Sequence, residues 1–376
     1  MVFNLRTFSF AESVEDDPTP PKSFSLKELR RATDNFSSKN IVRSIWKGNV
    51  YKGRLADGSL VAVHRASSVD SFRKESFESE VQVGSTVSTH PNVLCLRGFC
   101  RTKKELLLVY PWMINNCLSY NLTERPDRFA RPLDWTTRKR IALGAARGLA
   151  HLHNQGNIKI MHGTMSNILL NVHFEAVIGD FSKAVIMDEN NAEKGTIEWS
   201  LGPADFGSDF QSYYCYEDVY VNTTTIIGTL GFIAPEYIST GKCTVKNDVF
   251  AYGKMLLELM SGTRISKLHS LAYDEDLSLE EWIGDLKNKN ELGRVIDPNL
   301  QGNYVEEEAE RLVGFALLCS HADPSIRPEM SEVVRMLESQ FLQRDPSTRS
   351  SWSQSEGDST PYYSFPPSPS PLGNAP

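Results

Sequence analysis

Asn167 and Asp180 stand just outside the ends of two short apolar runs, Ile168–Leu170 and Ala176–Ile178. Runs of this length read as strands joined by a turn, which brings the amide and the carboxylate to one cleft. Such oxygen donors suit Mg²⁺, an ion that takes few protein ligands and completes its shell with water and substrate phosphate. His162 lies just upstream, after a third apolar run, Ile158–Met161. The stretch Ile158–Ala184 could therefore support chemistry at a bound phosphate, and the rest of the chain must position it.

Several elements can do so. Gly48–Leu55 and Leu60–Val63 flank the turn Ala56–Ser59 and read as a hairpin. Gly48–Gly53 is not a P-loop, because Arg54 and Leu55 follow where Lys and Ser or Thr are required. Phe24–Phe36 reads as an amphipathic helix with Leu26, Leu29 and Ala32 on one face and Ser25 as cap. Phe77–Val83 suits a helix, and Val93–Leu96 and Leu106–Val109 suit buried strands. Asp134 can cap a helix over Trp135–His153, in which Ile141, Ala145, Leu149 and Leu152 recur at helical spacing. His151 and His153 then belong to a core helix. Asp248, at a capping position, opens an apolar helix through Met260, and Leu312–Cys319 and Val333–Leu342 complete a helical core.

With 376 residues, 40% hydrophobic content and 10% aromatic content, the chain can bury a large core. A formal net charge of −7 argues against a general nucleic-acid binder, which needs a basic face. The six cysteines are spread without tight pairing, as expected of free thiols in a reducing compartment. Cys95 and Cys100 near His90 could suggest a metal site, but Leu94, Leu96 and Phe99 favour a buried apolar segment. No apolar run reaches the roughly 20 residues of a membrane span; the first residues lack an apolar h-region, Val2 is not Gly and the last four residues hold no Cys, so neither a signal peptide nor a lipid anchor is expected from them. The expectation is a cytoplasmic protein that reaches the inner face of the plasma membrane only through a partner. Residues 1–23 form an acidic, proline-bearing lead and 344–376 a Ser/Pro-rich tail, both expected to be disordered.

His162, Asn167–Leu170 and Gly179–Phe181 resemble the catalytic and metal-binding loops of a protein kinase, H-R-D-x-x-x-x-N followed by D-F-G. The resemblance extends over 24–343 and is closest to plant leucine-rich-repeat receptor-like kinases of the somatic embryogenesis receptor kinase type. Phe24–Leu29, Val50–Gly58, Leu96–Cys100 and Met330–Glu338 carry it. It implies an α+β, two-lobed fold, with a β-rich lobe at 24–110 and a helical lobe at 114–343. Tyr110–Met113 resembles the hinge, 180–236 an activation segment ending in the A-P-E of Ala234–Glu236, and Glu236 with Arg327 the ion pair tying that segment down. By the same resemblance Gly48, Val50, Ala62, His64, Glu80, Tyr110 and Met113 would line an ATP site, and Asn167 and Asp180 would hold Mg²⁺.

The departures gather at the chemistry. Gly163 and Thr164 stand where the family has Arg and the catalytic Asp, the loop to Asn167 is two residues short, and Ser182 replaces the last Gly of D-F-G. Arg43 and Ile45 replace two glycines of the phosphate-covering loop, and His64 replaces the strand lysine. Without that lysine, Glu80 reads about equally as an ion-pair remnant and as a solvated helix residue. These changes imply a pseudokinase with no catalytic residue assigned and weak binding of ATP and Mg²⁺. Its partners would be receptor kinases or other protein kinases. The alternative is an active Ser/Thr kinase in which Lys47 replaces the missing lysine; a third reading is a degraded frame with no stable product. The activation segment is unusually long, and 193–222, rich in Tyr, Gly, Ser and Asp, reads as a mobile loop: a regulated contact, a passive insertion or a retained intron.

Overall fold

Tyr51, Val61 and Val63 are buried on one side of the hairpin and Ala62 on the other, so alternation places both faces of this sheet under cover. The computed structural model describes residues 20–342 except 46, 124–131, 166–167, 202–211, 225 and 227. The acidic lead before residue 20, the Ser/Pro-rich tail and Asn167 thus lie outside the described residues. In chain order the first lobe holds β1 (Lys22–Ser23), α1 (Leu26–Ala32), β2 (Ile41–Ile45), β3 (Gly48–Arg54), β4 (Leu60–Ala66), α2 (Ser71–Thr86), β5 (Gly98–Arg101) and β6 (Leu106–Pro111). The six strands form one sheet in the order β1-β5-β6-β4-β3-β2. Lys22 and Ser23, assigned by sequence to the disordered lead, instead pair in parallel with Gly98 and Phe99. Ser25 caps α1 in a reciprocal box with Glu28, and Leu29 packs on Tyr51, Val61 and Val109. Phe77 and Val83 of α2 cover the opposite face.

Val93–Leu96 is not a strand. Its backbone meets the second lobe at one bridge, Val93 to Ile178, with Leu94 N–H donating to Ile178 O at 2.8 Å. Cys95 is exposed while Val93, Leu94 and Leu96 are buried.

The second lobe follows with α3 (Leu118–Thr123), α4 (Trp135–His153), β7 (Lys159–Met161), β8 (Ile168–Leu170), β9 (Ala176–Ile178) and β10 (Val185–Met187). Then come β11 (Glu193–Leu201), β12 (Ser212–Asn222), α5 (Pro235–Thr240), β13 (Lys242–Cys243), α6 (Val245–Ser261), α7 (Ile265–Tyr273), α8 (Leu279–Asn288), α9 (Glu306–Cys319) and α10 (Met330–Leu342). Asp134 caps α4 by accepting from Thr137 N, and Ile141, Ala145, Leu149 and Leu152 of α4 are fully buried. Helix α6 begins earlier than Asp248: Thr244 is its cap, in a box with Asn247. Asp248 lies inside the helix and turns its carboxylate to other partners. A β-rich lobe joined to a helical one is the two-lobed α+β architecture. None of the described helices is long and apolar enough to cross a membrane.

The expected mobile loop at 193–222 is, where described, an antiparallel ladder from Glu193↔Tyr220 to Leu201↔Ser212. Ile197 and Trp199 alternate with Thr196 and Glu198, opposite Tyr216 and Tyr214, so one face is apolar. The rings of Trp199 and Tyr214 stack at 4.6 Å, Tyr216 and Tyr220 are buried, and Tyr213 is exposed. Val221 pairs with Cys243, attaching the hairpin to the second lobe.

Candidate functional site

Strands β3, β4 and β6 roof a cavity of about 220 Å³ whose floor includes Leu169 of β8 and Asp180. Gly48, Val50, Ala62, His64, Glu80, Tyr110, Met113 and Asp180 all line it. Trp112 N–H donates to Leu60 O at 3.3 Å and Tyr110 lies opposite Ala62. Pro111, Trp112 and Met113 border the cavity at this edge.

Gly48 is held by packing. It adopts φ +150°, and a Cβ there would stand 2.0 Å from the Arg65 carbonyl oxygen of β4. The one glycine retained in the loop is therefore required by the β3–β4 contact itself, whatever occupies the cavity.

Asp180 sits in the left-handed region at φ 67°. Lys47 Nζ, from the turn between β2 and β3, lies 2.7 Å from Asp180 Oδ1 and also reaches Ser182 Oγ. Ser182 in turn donates to Asp180 at 2.6 Å. Burial pushes this carboxyl up, but the charge and hydrogen bond of Lys47 and the Ser182 hydroxyl outweigh it and hold Asp180 at about 2. His64 occupies the wall beside Tyr110, ring centroids 5.2 Å apart. Burial, opposed by Asp180 and reinforced by Lys47 and Arg43, lowers its pKa to about 4, so the imidazole is neutral at pH 7.

Glu80 is not a solvated helix residue. It is buried, accepts the Tyr110 hydroxyl, and accepts Phe181 N–H at 3.1 Å. Burial and then the Asp180 charge raise it to about 7, against the lowering effect of Tyr110, Lys47 and Phe181. Its neighbour Ser79 donates to Phe181 O at 2.7 Å, so consecutive residues of α2 grip the segment after Asp180. Sequence reading missed Ser79 and took Ser182 only as a replaced glycine, because nothing in helical or strand period marks a contact from α2 or Lys47 to the segment after Asp180.

His162 and Thr164 are turned away from the cavity. His162 is buried, its Nε2 3.0 Å from Gly179 O and its ring edge-on to Phe181. Thr164 is buried with its hydroxyl 3.0 Å from that of Thr229. The loop is anchored by Asp248, which accepts His162 N–H at 2.7 Å and Gly163 N–H at 2.8 Å and meets His153 Nε2 at 2.9 Å. Gly163 has φ +83°, and a Cβ there would lie 2.7 Å from Lys183 O.

A two-lobed cleft of this form coincides with a match to the description "Protein kinase domain" over residues 46–358. The chain belongs to the protein kinase family. This kinase domain is 43% identical over 325 residues to a probable LRR receptor-like serine/threonine-protein kinase of Arabidopsis thaliana, covering 85% of this chain and 48% of the relative. It is 42% identical, with the same coverage, to the LRR receptor kinase SERK2 of Oryza sativa subsp. japonica. The chain spans about half the length of the curated relatives it matches. Similarity thus places it with the receptor-like serine/threonine kinase domains.

Protein kinases use ATP with Mg²⁺. The apolar slot between Val50, Ala62 and Leu169, with Pro111 and Met113 at its edge, would fit a nucleobase. The phosphate and metal end fits poorly: one Asp180 oxygen is bonded to an ammonium, and the strand position of the phosphate lysine carries a neutral imidazole. No transfer step follows from this arrangement.

Proposed function

We propose that this is a catalytically impaired receptor-like kinase domain that acts in signalling by binding and modulating receptor kinases. The Lys47–Asp180 pair carries the reading, since an ammonium on Asp180 Oδ1 competes with Mg²⁺ for that oxygen and repels a second cation. Thr164, at the general-base position, is un-ionised at neutral pH and engaged by Thr229. Losing a general base costs about 10²–10⁴ in rate, and losing a charge-stabilising donor about 10²–10³. These losses need not multiply, because such groups act as a unit. Partner binding is supported by the polar outer face of the β11–β12 hairpin, which the exposed Tyr213 shares with Glu198 and Glu217. Attachment at the inner face of a membrane would come through such a partner.

The test is transfer of labelled phosphate. The wild-type chain, His64→Lys and Thr164→Asp are each expected to remain unlabelled, and labelling of any one would defeat the reading. One observation favours an active kinase instead: Lys47 Nζ already enters the cavity. In that case Lys47→Met should abolish transfer shown by the wild type.

A further inference from the structure

Strand β11 is the outer strand of its sheet. The order is β11-β12-β13, so among the described residues β12 is its one ladder neighbour. It runs over 9 residues, and its register with β12 is continuous, without a bulge. Natural edge strands are usually short, or interrupted by proline or a bulge, because a row of open N–H and C=O groups is a template for another strand. Strand β11 has no proline. Its cover lies on the inner face, where Ile197 and Trp199 are buried. Tyr220 shares that face, and Lys242, just after α5, sets its ammonium 4.3 Å from the centre of the Tyr220 ring and reaches Thr196 O at 3.5 Å.

The charges of this edge are complementary to themselves. Lys194, Thr196 and Glu198 are exposed on the outer face. Across β12, Lys194 lies opposite Val219 and Glu198 opposite Cys215, so the hairpin sets no opposite charge against either. A second β11 running antiparallel about a two-fold axis at Thr196 sets Lys194 against Glu198 and Glu198 against Lys194. It also sets Gly195 against Ile197 on the inner face, where the missing side chain leaves room. Moving the axis to Gly195 or Ile197 pairs no opposite charges. Opposite charges directly across a strand pair stabilise it and like charges destabilise it, so this register is favoured over its neighbours.

We propose that two copies of this chain pair through β11, antiparallel about Thr196, and join their two three-stranded sheets into one. Two strand edges bury less than the roughly 1,200–2,000 Å² of a stable complex, which makes this a weak, exchanging dimer. The contact lies outside the cleft and is independent of the impaired-kinase reading.

Sedimentation velocity of the full chain at low salt, across about two decades of concentration, tests this. The wild type is expected to pass from monomer to dimer, and added salt to weaken the association, because the paired charges are exposed. Lys194→Glu and Glu198→Lys each oppose like charges twice in the symmetric contact and should each weaken association at least about tenfold. The double variant Lys194→Glu/Glu198→Lys restores both pairs and should recover wild-type association. With the exposed Cys95 and Cys215 replaced by Ser, Thr196→Cys should form a disulfide between copies on mild oxidation, whereas Lys194→Cys, facing residue 198, should not. A monomer at every concentration, association unmoved by the single swaps, a double variant no better than the singles, or crosslinking through 194 rather than 196 overturns the proposal. So does a chain that stays monomeric and instead binds a receptor kinase domain with the same dependence on Lys194 and Glu198.

Discussion

Glu236 and Arg327 are both fully buried and meet through two bonds of 2.6 and 2.8 Å, whereas Lys47 and Asp180 meet through 2.7 Å with side chains 18% and 30% exposed. The first pair ties α5 to the segment before α10, and Asn247 adds a third bond to Glu236 at 2.9 Å. Asp248 does the same for the loop at His162 and Gly163. In these networks every charge has its partner, because a buried charge left alone is far costlier than a buried pair. The phosphate end of the cleft is bounded by solvent, so its cation can come from a different element. A lysine from the turn takes up the Asp180 charge where the strand offers a neutral histidine. The family's scaffold charges are thus kept in register by burial, while its ligand-facing charges can be re-paired.

The contrast can be broken most directly in the scaffold. Arg327→Ala leaves Glu236 buried without its guanidinium and is expected to cost about 3–5 kcal/mol, measured by denaturant unfolding. A loss below about 1 kcal/mol would mean that the lobe relaxes around the carboxylate as easily as the cleft does.

Glu80 sharpens the comparison, being a buried carboxyl on the cleft side. Its folded pKa, about 7, lies above the ordinary 4.5. Its contribution is therefore fully present below pH 4.5 and is lost as pH rises through 7, a difference of about 3 kcal/mol. His64, lowered to about 4, runs the other way: its contribution is present above pH 6.5 and lost as pH falls to about 4. Glu80→Gln keeps an acceptor for Tyr110 and Phe181 and removes the titration. The variant's melting temperature should gain on the wild type between pH 5 and 7.5, and parallel curves would contradict the assignment.

The smallest effect is expected at Gly48. Gly48→Ala places a Cβ against the Arg65 carbonyl and should destabilise by about 1–3 kcal/mol in the absence of any nucleotide. Unchanged stability in the absence of ligand would return this glycine to a ligand-covering role.

Much of the frame was legible residue by residue. The β3–β4 hairpin follows from two alternating runs around Ala56–Ser59, and the caps at Ser25 and Asp134 follow from their side chains and the helical period behind them. The 193–222 hairpin also carried a signal, the alternation of Ile197 and Trp199 against Tyr214 and Tyr216. It was obscured because the Gly, Ser and Asp around these residues suggest a loop. Asp248 misled for a related reason: as a capping residue type near the start of an apolar helix, it hides that Thr244 already caps it.

Sequence by itself determined the β3–β4 hairpin, the helix α4 with its buried face, and the loss of the strand lysine and the loop glycines, because these depend on residue type and on spacing of a few residues. Only the tertiary structure decided that Lys47 closes on Asp180, 133 residues away, and that Glu80 is held by Tyr110 and Phe181. Periodicity states which side of an element a residue occupies. Which distant side chain meets it there depends on how two lobes pack, and that packing determines both the partner and the charge state.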